Sequence, residues 1–309
     1  MKSQKAGRII SLTIIYIILG ISAIIWLAPI VWLLLQSFSA SSGAATSFYP
    51  QKGEWTWHNF VYLFSLPDEN GLTAPSYAST NAYDIVPGTG RSYFLTWFFN
   101  TLVVAALNCI ISTLFCLVVA YSMSRFRFKG REVLMKLNLV LGMFPGFLSM
   151  IIMYWVMKDL FHLQGSFWAL VIIYSAGSGM GFFISKGFFD TISKSIDEAA
   201  MIDGANRAQI FWDIILPLSK PIIVYTILTS FMAPWGDYVT SSYIIGANNA
   251  PQWTVAIGLY KWANERELFT SYYTRYAAGS VVIALPMTLL FLFTQKYYVA
   301  GVTGGAVKG

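Results

Sequence analysis

The chain has 309 residues, of which 56% are hydrophobic and only 11% charged. Soluble domains carry about 25% charged residues, so this composition excludes a soluble domain on a single anchor and indicates a polytopic membrane protein. A formal charge of +6 would suit nucleic acid on a soluble protein, but here Lys and Arg flank the apolar runs, where they set topology, and no nucleic acid partner is expected.

A membrane-spanning helix needs about 20 predominantly apolar residues. Six segments meet that need: 9–36, 94–123, 133–157, 167–189, 219–245 and 277–296. The expected fold is an all-α, polytopic membrane domain of six transmembrane helices over residues 1–309, embedded in a lipid bilayer.

The first segment follows Lys2, Lys5 and Arg8, as in a secretory signal. Its apolar run, Ile9–Leu35, far exceeds the about 7–15 residues of such a signal, so it is read as a retained span. An extended outer loop, 37–93, comes next and includes "EWTWHNF" (54–60). Its aromatic residues suit the interfacial belt or contact with an outer partner. The second segment holds Cys109 and Cys116, two helical turns apart on one face and too distant for a disulfide, so both are expected as packed free thiols. It also holds Asn100 and Asn108, polar side chains that bridge helices or line a solute pathway. Pro145-Gly146 breaks the third segment. Gly177 and Gly181 stand four apart in the fourth, a spacing that lets helices approach closely.

The fifth segment contains "APWGDY" (233–238). Pro234 removes a backbone donor and frees a carbonyl that a neighbour must satisfy. Asp237 is costly near a membrane and must face protein or a wet cavity. Two readings stay open: the break lines a solute pathway, with Trp235 and Asp237 in its wall, or Asp237 lies at the outer interface. Pro286 falls in the sixth segment.

Fourteen of the 20 Lys and Arg residues fall on the side that holds both termini and the stretch 190–218. That side is cytoplasmic by the positive-inside rule. His58 and His162 stand alone in outer loops, and no metal-ligand spacing is present.

The stretch "IDEAAMIDGANRAQIFWDIILP" (196–217) is charged and helix-forming between two apolar runs. Ser195 followed by Glu198 fits a capping box, which starts a first helix. Gly204 fits a left-handed helix terminus. Ile210, Phe211, Ile214, Ile215 and Leu218 then make an apolar stripe on a second helix. One face is expected against the membrane domain and the acidic face free to dock a soluble partner.

The spacing E-A-A-x3-G-x9-I-x-L-P is filled by Glu198, Ala199, Ala200, Gly204, Ile214, Leu216 and Pro217. It resembles the "EAA" loop of permease subunits of ATP-binding-cassette importers. "GFFDTISKSIDEAAMIDGA", "FWDIILPLSKPI", "WFFNTLVVA" (97–105), "FMAPWGDYVTSSYII" (231–245) and the tail "QKYYVAGVTGGAVKG" (295–309) extend the likeness over nearly the whole chain. They are similar to carbohydrate-type permeases, and to the smaller permease subunit of maltose and maltodextrin importers. The resemblance implies that 190–218 is a coupling element seated in a cleft of a cytoplasmic ATPase, with Glu198 in polar contact and Gly204 at the bend. It further implies a heterodimer with a second homologous permease, two ATP-binding-cassette subunits, an extracytoplasmic sugar-binding protein and the plasma (inner) membrane. The loop 262–271 would enter the binding protein and the tail would reach the ATPases. The insertion 65–92 makes the first outer loop longer than this group leads one to expect.

No G-x-x-x-x-G-K-[ST] phosphate loop is present. The ending "GVTGGAVKG" lacks its Lys-Ser/Thr. ATP with magnesium is therefore expected on the partner subunits, and no catalytic residue, cofactor or metal in this chain. A self-contained secondary transporter or channel is the alternative, but it calls for inverted repeats and intramembrane ion-binding charges, and leaves the 190–218 stretch unexplained.

Overall fold

A computed structural model describes residues 2–40, 48–64, 92–177, 181–246, 248–264 and 266–306, of which 2–10, 266–272 and 298–306 are described by backbone alone. The described residues are helical, apart from turns and one isolated antiparallel bridge between Ser39 and Trp55. In chain order the helices are α1 (Lys2–Ser37), α2 (His58–Phe64), α3 (Phe94–Arg125), α4 (Arg131–Gly142), α5 (Gly146–Trp155), α6 (Phe167–Ala176), α7 (Gly181–Asp190), α8 (Lys194–Ile202), α9 (Arg207–Gln209), α10 (Leu216–Leu218), α11 (Lys220–Gly236), α12 (Tyr238–Ile245), α13 (Val255–Asn264) and α14 (Arg266–Ala306).

Among the described residues, four stretches are long and apolar enough to cross a membrane: Ser11–Ser37, Phe94–Arg125, Phe167–Asp190 and Tyr273–Tyr297. Two bent pairs bring the number to as many as six. The third expected span is not one straight helix. Pro145 supplies no backbone donor and takes an extended conformation (φ −56°, ψ 128°), so α4 and α5 meet at 100°. The fifth is interrupted as well, because Asp237 leaves helical geometry (φ −83°, ψ 86°) between α11 and α12. Pro29 and Pro286, by contrast, lie inside unbroken helices.

The chain forms two compact units. The first comprises Met1–Ser92 and Lys261–Val282. Here the Asn59 amide donates to the carbonyls of Ser37 (3.0 Å) and Ser39 (2.8 Å) and accepts from the Thr274 hydroxyl (3.1 Å). Phe38 meets Trp55, Trp57 and Phe60 at ring separations of 4.8–6.5 Å. The rings of Trp55 and Trp57 stay exposed, in keeping with an interfacial belt. His58 begins α2, a short helix within the segment between α1 and α3. The expected loop 262–271 is helical over its described residues, at the end of α13 and the start of α14, and Trp262 is buried. The insertion 65–92 lies outside the described residues except for Ser92.

The second unit comprises Tyr93–Tyr260 and Ile283–Gly309, and is organised around α3. At its start Trp97 is fully buried and donates from its indole nitrogen to the Ala250 carbonyl (2.9 Å). Asn100 donates to the carbonyls of Pro251 (2.9 Å) and Trp253 (3.0 Å). Farther along α3 the two cysteines are free, Cys116 buried and Cys109 partly so. A β-carbon built on Gly181 of α7 would lie 3.6 Å from the Cys116 sulfur, an ordinary contact, so the close approach expected from this spacing is not enforced there. Nothing crowds Gly177, the other half of that pair.

Candidate functional site

The stretch 193–219 is a two-helix element seated on the end of α3. Its first helix starts two residues earlier than the sequence pattern indicates. Ser193, not Ser195, is the cap, and its hydroxyl accepts from the Ser195 amide (3.3 Å). Glu198 is therefore not part of a capping box. The capping box belongs to the second helix: the Asn206 side chain accepts from the Gln209 amide (3.0 Å), and the Gln209 side chain from the Asn206 amide (2.8 Å).

Between the helices Gly204 is left-handed (φ +87°). The Gly204 amide donates to the Met201 carbonyl (3.1 Å) and the Ala205 amide to the Ala200 carbonyl (2.9 Å). These two bonds are the Schellman pattern that closes a helix on glycine. The second helix passes through a π-helical turn at Ile210–Ile215. Bonds from i to i+5 lengthen its period. Ile210, Phe211 and Ile215 stay buried and Ile214 partly buried, but Leu218 rotates out of the stripe and is exposed. Leu216 is half-buried and Pro217 exposed where the chain turns 85° into α11.

The underside joins a core of Leu117, Ala120, Tyr121, Phe189, Ala200 and Ile222. The Tyr121 ring lies 4.8 Å from Phe211 and its hydroxyl donates to the Arg207 carbonyl (3.4 Å). Polar groups add to this seat. Arg125 Nε lies 2.7 Å from Asp197 Oδ2, with the two side chains 1% and 4% exposed. Arg125 also donates to the Ile192 carbonyl (3.0 Å), while the Ser124 hydroxyl donates to Asp190 (2.6 Å), which Lys186 holds at 2.5 Å. On the opposite face Glu198, Ala199, Met201 and Gly204 are exposed, and Ile202 is 86% exposed. That face thus presents an open apolar side chain beside a carboxylate without a partner among the described residues.

Sequence reasoning missed Arg125, Asp197 and Ile202. The available signal was that Asp197 and Glu198 are adjacent, so on one helix they point about 100° apart and cannot share a role.

Asn108, Asp237 and Trp235 have structural partners. Pro234 frees the Ser230 carbonyl four residues back, and the Asn108 amide donates to it at 2.7 Å. Ser112 in turn donates to Asn108 (2.6 Å). Asp237 caps α12, accepting from the Thr240 amide (2.9 Å) and from the Tyr174 hydroxyl (2.9 Å). Trp235 is buried against Phe98 and Phe231. Asn100, as above, pins a turn. None of the four acts as an isolated polar lining. A groove of about 750 Å³ nevertheless runs past Asn108 and Tyr174, with Ser112, Tyr225, Thr226 and Thr229 on its walls.

An Asn108→Leu substitution is expected to destabilise the chain by about 1 kcal/mol by stranding the Ser230 carbonyl. Adding Pro234→Ala restores a backbone donor there and is expected to recover most of that loss. Thermal unfolding of the purified variants in detergent measures both, and a double variant no more stable than Asn108→Leu alone would contradict the assignment.

Residues 112–303 match the family described as "Binding-protein-dependent transport system inner membrane component". The chain belongs to this family. It is 31% identical to the galactooligosaccharides transport system permease protein GanQ of Bacillus subtilis over 311 residues, covering all of both chains. It is 30% identical to the maltose/maltodextrin transport system permease protein MalG of Escherichia coli K12 over 314 residues, covering 100% of this chain and 98% of MalG. Among solved structures, a chain of a bacterial ABC transporter that imports the acidic polysaccharide alginate superposes with a TM-score of 0.69 at 23% identity, over 95% of this chain and 98% of that one. The last likeness shows the fold. The family identifies this chain as a multi-pass permease of a binding-protein-dependent ATP-binding-cassette importer, a transport component rather than an enzyme. The matched region contains both helices of 193–219 and, apart from Asn108, the residues that line the groove.

Proposed function

We propose that this chain is one of two homologous permease subunits of an oligosaccharide importer, and that α8 is its coupling helix. The observation that carries this reading is the two-sided build of 193–219: an underside locked on the end of α3, and an open face of Glu198, Ala199 and Ile202. A partner ATPase would meet that face, with Glu198 supplying the polar contact and Ile202 an apolar anchor. Both termini and this face are assigned to the cytoplasm of the plasma membrane by the excess of Lys and Arg on that side. ATP with magnesium would be bound by two ATPase subunits, and sugar delivered by an extracytoplasmic binding protein.

The hydroxyl-bearing groove is this chain's proposed half of the translocation pathway. Polar side chains exposed to lipid are unfavourable, so the exposed Thr229 and half-buried Tyr225 are better served by water or a sugar than by acyl chains. Trp235 is buried in the frame around the groove, while the half-buried Asp237, bonded to the groove-lining Tyr174, stays a pathway candidate.

The test is reconstitution of the complete importer in vesicles with labelled maltodextrins and galacto-oligosaccharides. Uptake is expected only with ATP, the ATPases and the binding protein present. Transport by this chain without any ATPase would overturn the proposal in favour of a self-contained transporter.

A further inference from the structure

We infer that Arg125 and Asp197 are positioning residues, forming the joint through which motion of α8 passes into α3. The inference rests on the coupling role proposed for α8. Only Asp197 and Ala200 of α8 are buried. An alanine methyl fixes distance but offers little resistance to rotation. The directional grip on α8 is therefore the ion pair, at 2.7 Å and almost fully buried on both sides.

Burying two charges is a poor route to stability, since an apolar pair of similar volume serves as well or better. What the pair supplies is geometry. Arg125 is the last residue of α3, and Asp197 lies in the first turn of α8. Each charge complements the dipole of its own helix end. The same guanidinium holds the Ile192 carbonyl just ahead of α8 (3.0 Å), so it grips both the lead-in and the first turn. Contact runs through one nitrogen and one oxygen. It is a charge contact: Arg125 Nε and Nη1 and Asp197 Oδ1 have no hydrogen-bond partner among the described residues. With Asp197 facing Nε and the Ile192 carbonyl held by Nη2, one rigid guanidinium fixes both the position and the direction of the start of α8.

The experiment uses the assembled importer with Asp197→Asn, and separately with the apolar pair Arg125→Met/Asp197→Leu. Copurification of the ATPases, ATP hydrolysis stimulated by loaded binding protein, and sugar uptake are measured together. Both forms are expected to retain the ATPases and hydrolysis within about twofold of native, while uptake per ATP falls by about tenfold, the size of a lost coupling interaction. Native uptake per ATP in the apolar pair would show a packing role alone and overturn the inference. Loss of ATPase copurification from chains that insert normally would also overturn it, by showing docking in place of transmission. Glu198→Lys in the same assay separates the two levels. If it abolishes uptake while the pair variants do not, only the joint falls; if it too is harmless, the coupling role of α8 falls with it.

Discussion

A lysine in place of Glu198 is expected to abolish ATP-driven uptake while leaving the chain inserted and folded. Glu198 is exposed, so the substitution alone shifts stability by no more than about 0.5 kcal/mol. At the docked surface the effect is far larger. Reversing a charge that faces its complement costs several kcal/mol, and about 3 kcal/mol reduces docking by about a hundredfold. Uptake in vesicles and ATPase pull-down on the same preparation check the prediction. Full ATPase retention with normal uptake would remove Glu198 from the interface. Glu198→Gln, which keeps shape and loses charge, is expected to fall between the two.

Alanine at Gly258 is expected to damage folding more than any other single methyl group considered for this chain. A β-carbon there would lie 2.0 Å from Trp97 Cε3 and 2.2 Å from Cζ3. Trp97 cannot yield cheaply. It is fully buried, bonded to the Ala250 carbonyl at 2.9 Å, and flanked by the Tyr93 and Trp253 rings at 6.2 and 5.7 Å. Overpacking usually costs about 1–3 kcal/mol, and a contact this short belongs at or beyond the top of that range. Gly258→Ala is expected to lower the unfolding temperature in detergent and to reduce the amount of chain recovered from membranes. Gly177→Ala, where nothing lies within 4 Å, is the control and is expected to be silent. Equal unfolding temperatures for the two would show that the Trp97 contact relaxes.

The difference between those two glycines marks what the sequence made legible. Gly177 belongs to a spacing that invites a helix-packing reading, whereas Gly258 sits in no motif. Its importance depends on a ring 161 positions away, and only the fold brings the two together. The apolar segments were readable because membrane length and composition constrain them strongly. The bends at Pro145 and Asp237 were marked by their residues, yet their angles were not, because a proline permits a range of kinks and its neighbours select one. The stretch 193–219 was legible in outline. Gly204 was recognisable from its place after a helix-forming run, and the stripe of Ile210, Phe211 and Ile215 from its period. The cap was misassigned because Ser193 and Ser195 are equally good acceptors two residues apart, and local pattern does not choose between them. Leu218 was misplaced because a π-helical turn lengthens the period without leaving a sign in the residues. Arg125 read as one of several topology-setting cations, since nothing local ties it to Asp197.

α3 ends in fastenings on both sides: Asn100 and Trp97 hold the 250–253 turn, and Arg125 holds α8. From Asn100 to Arg125 the helix rises about 38 Å at 1.5 Å per residue. A rod of that length works as a lever. A tilt of about 3° about one fastening carries the other through about 2 Å, comparable to the helix shifts that separate functional states in other switching proteins. A small displacement of α8, if it acts as the proposed coupling helix, would thus become a shift at the far end of the unit without any bending of α3. Stiffness, more than any single contact along the way, is the property that residues 100–125 supply.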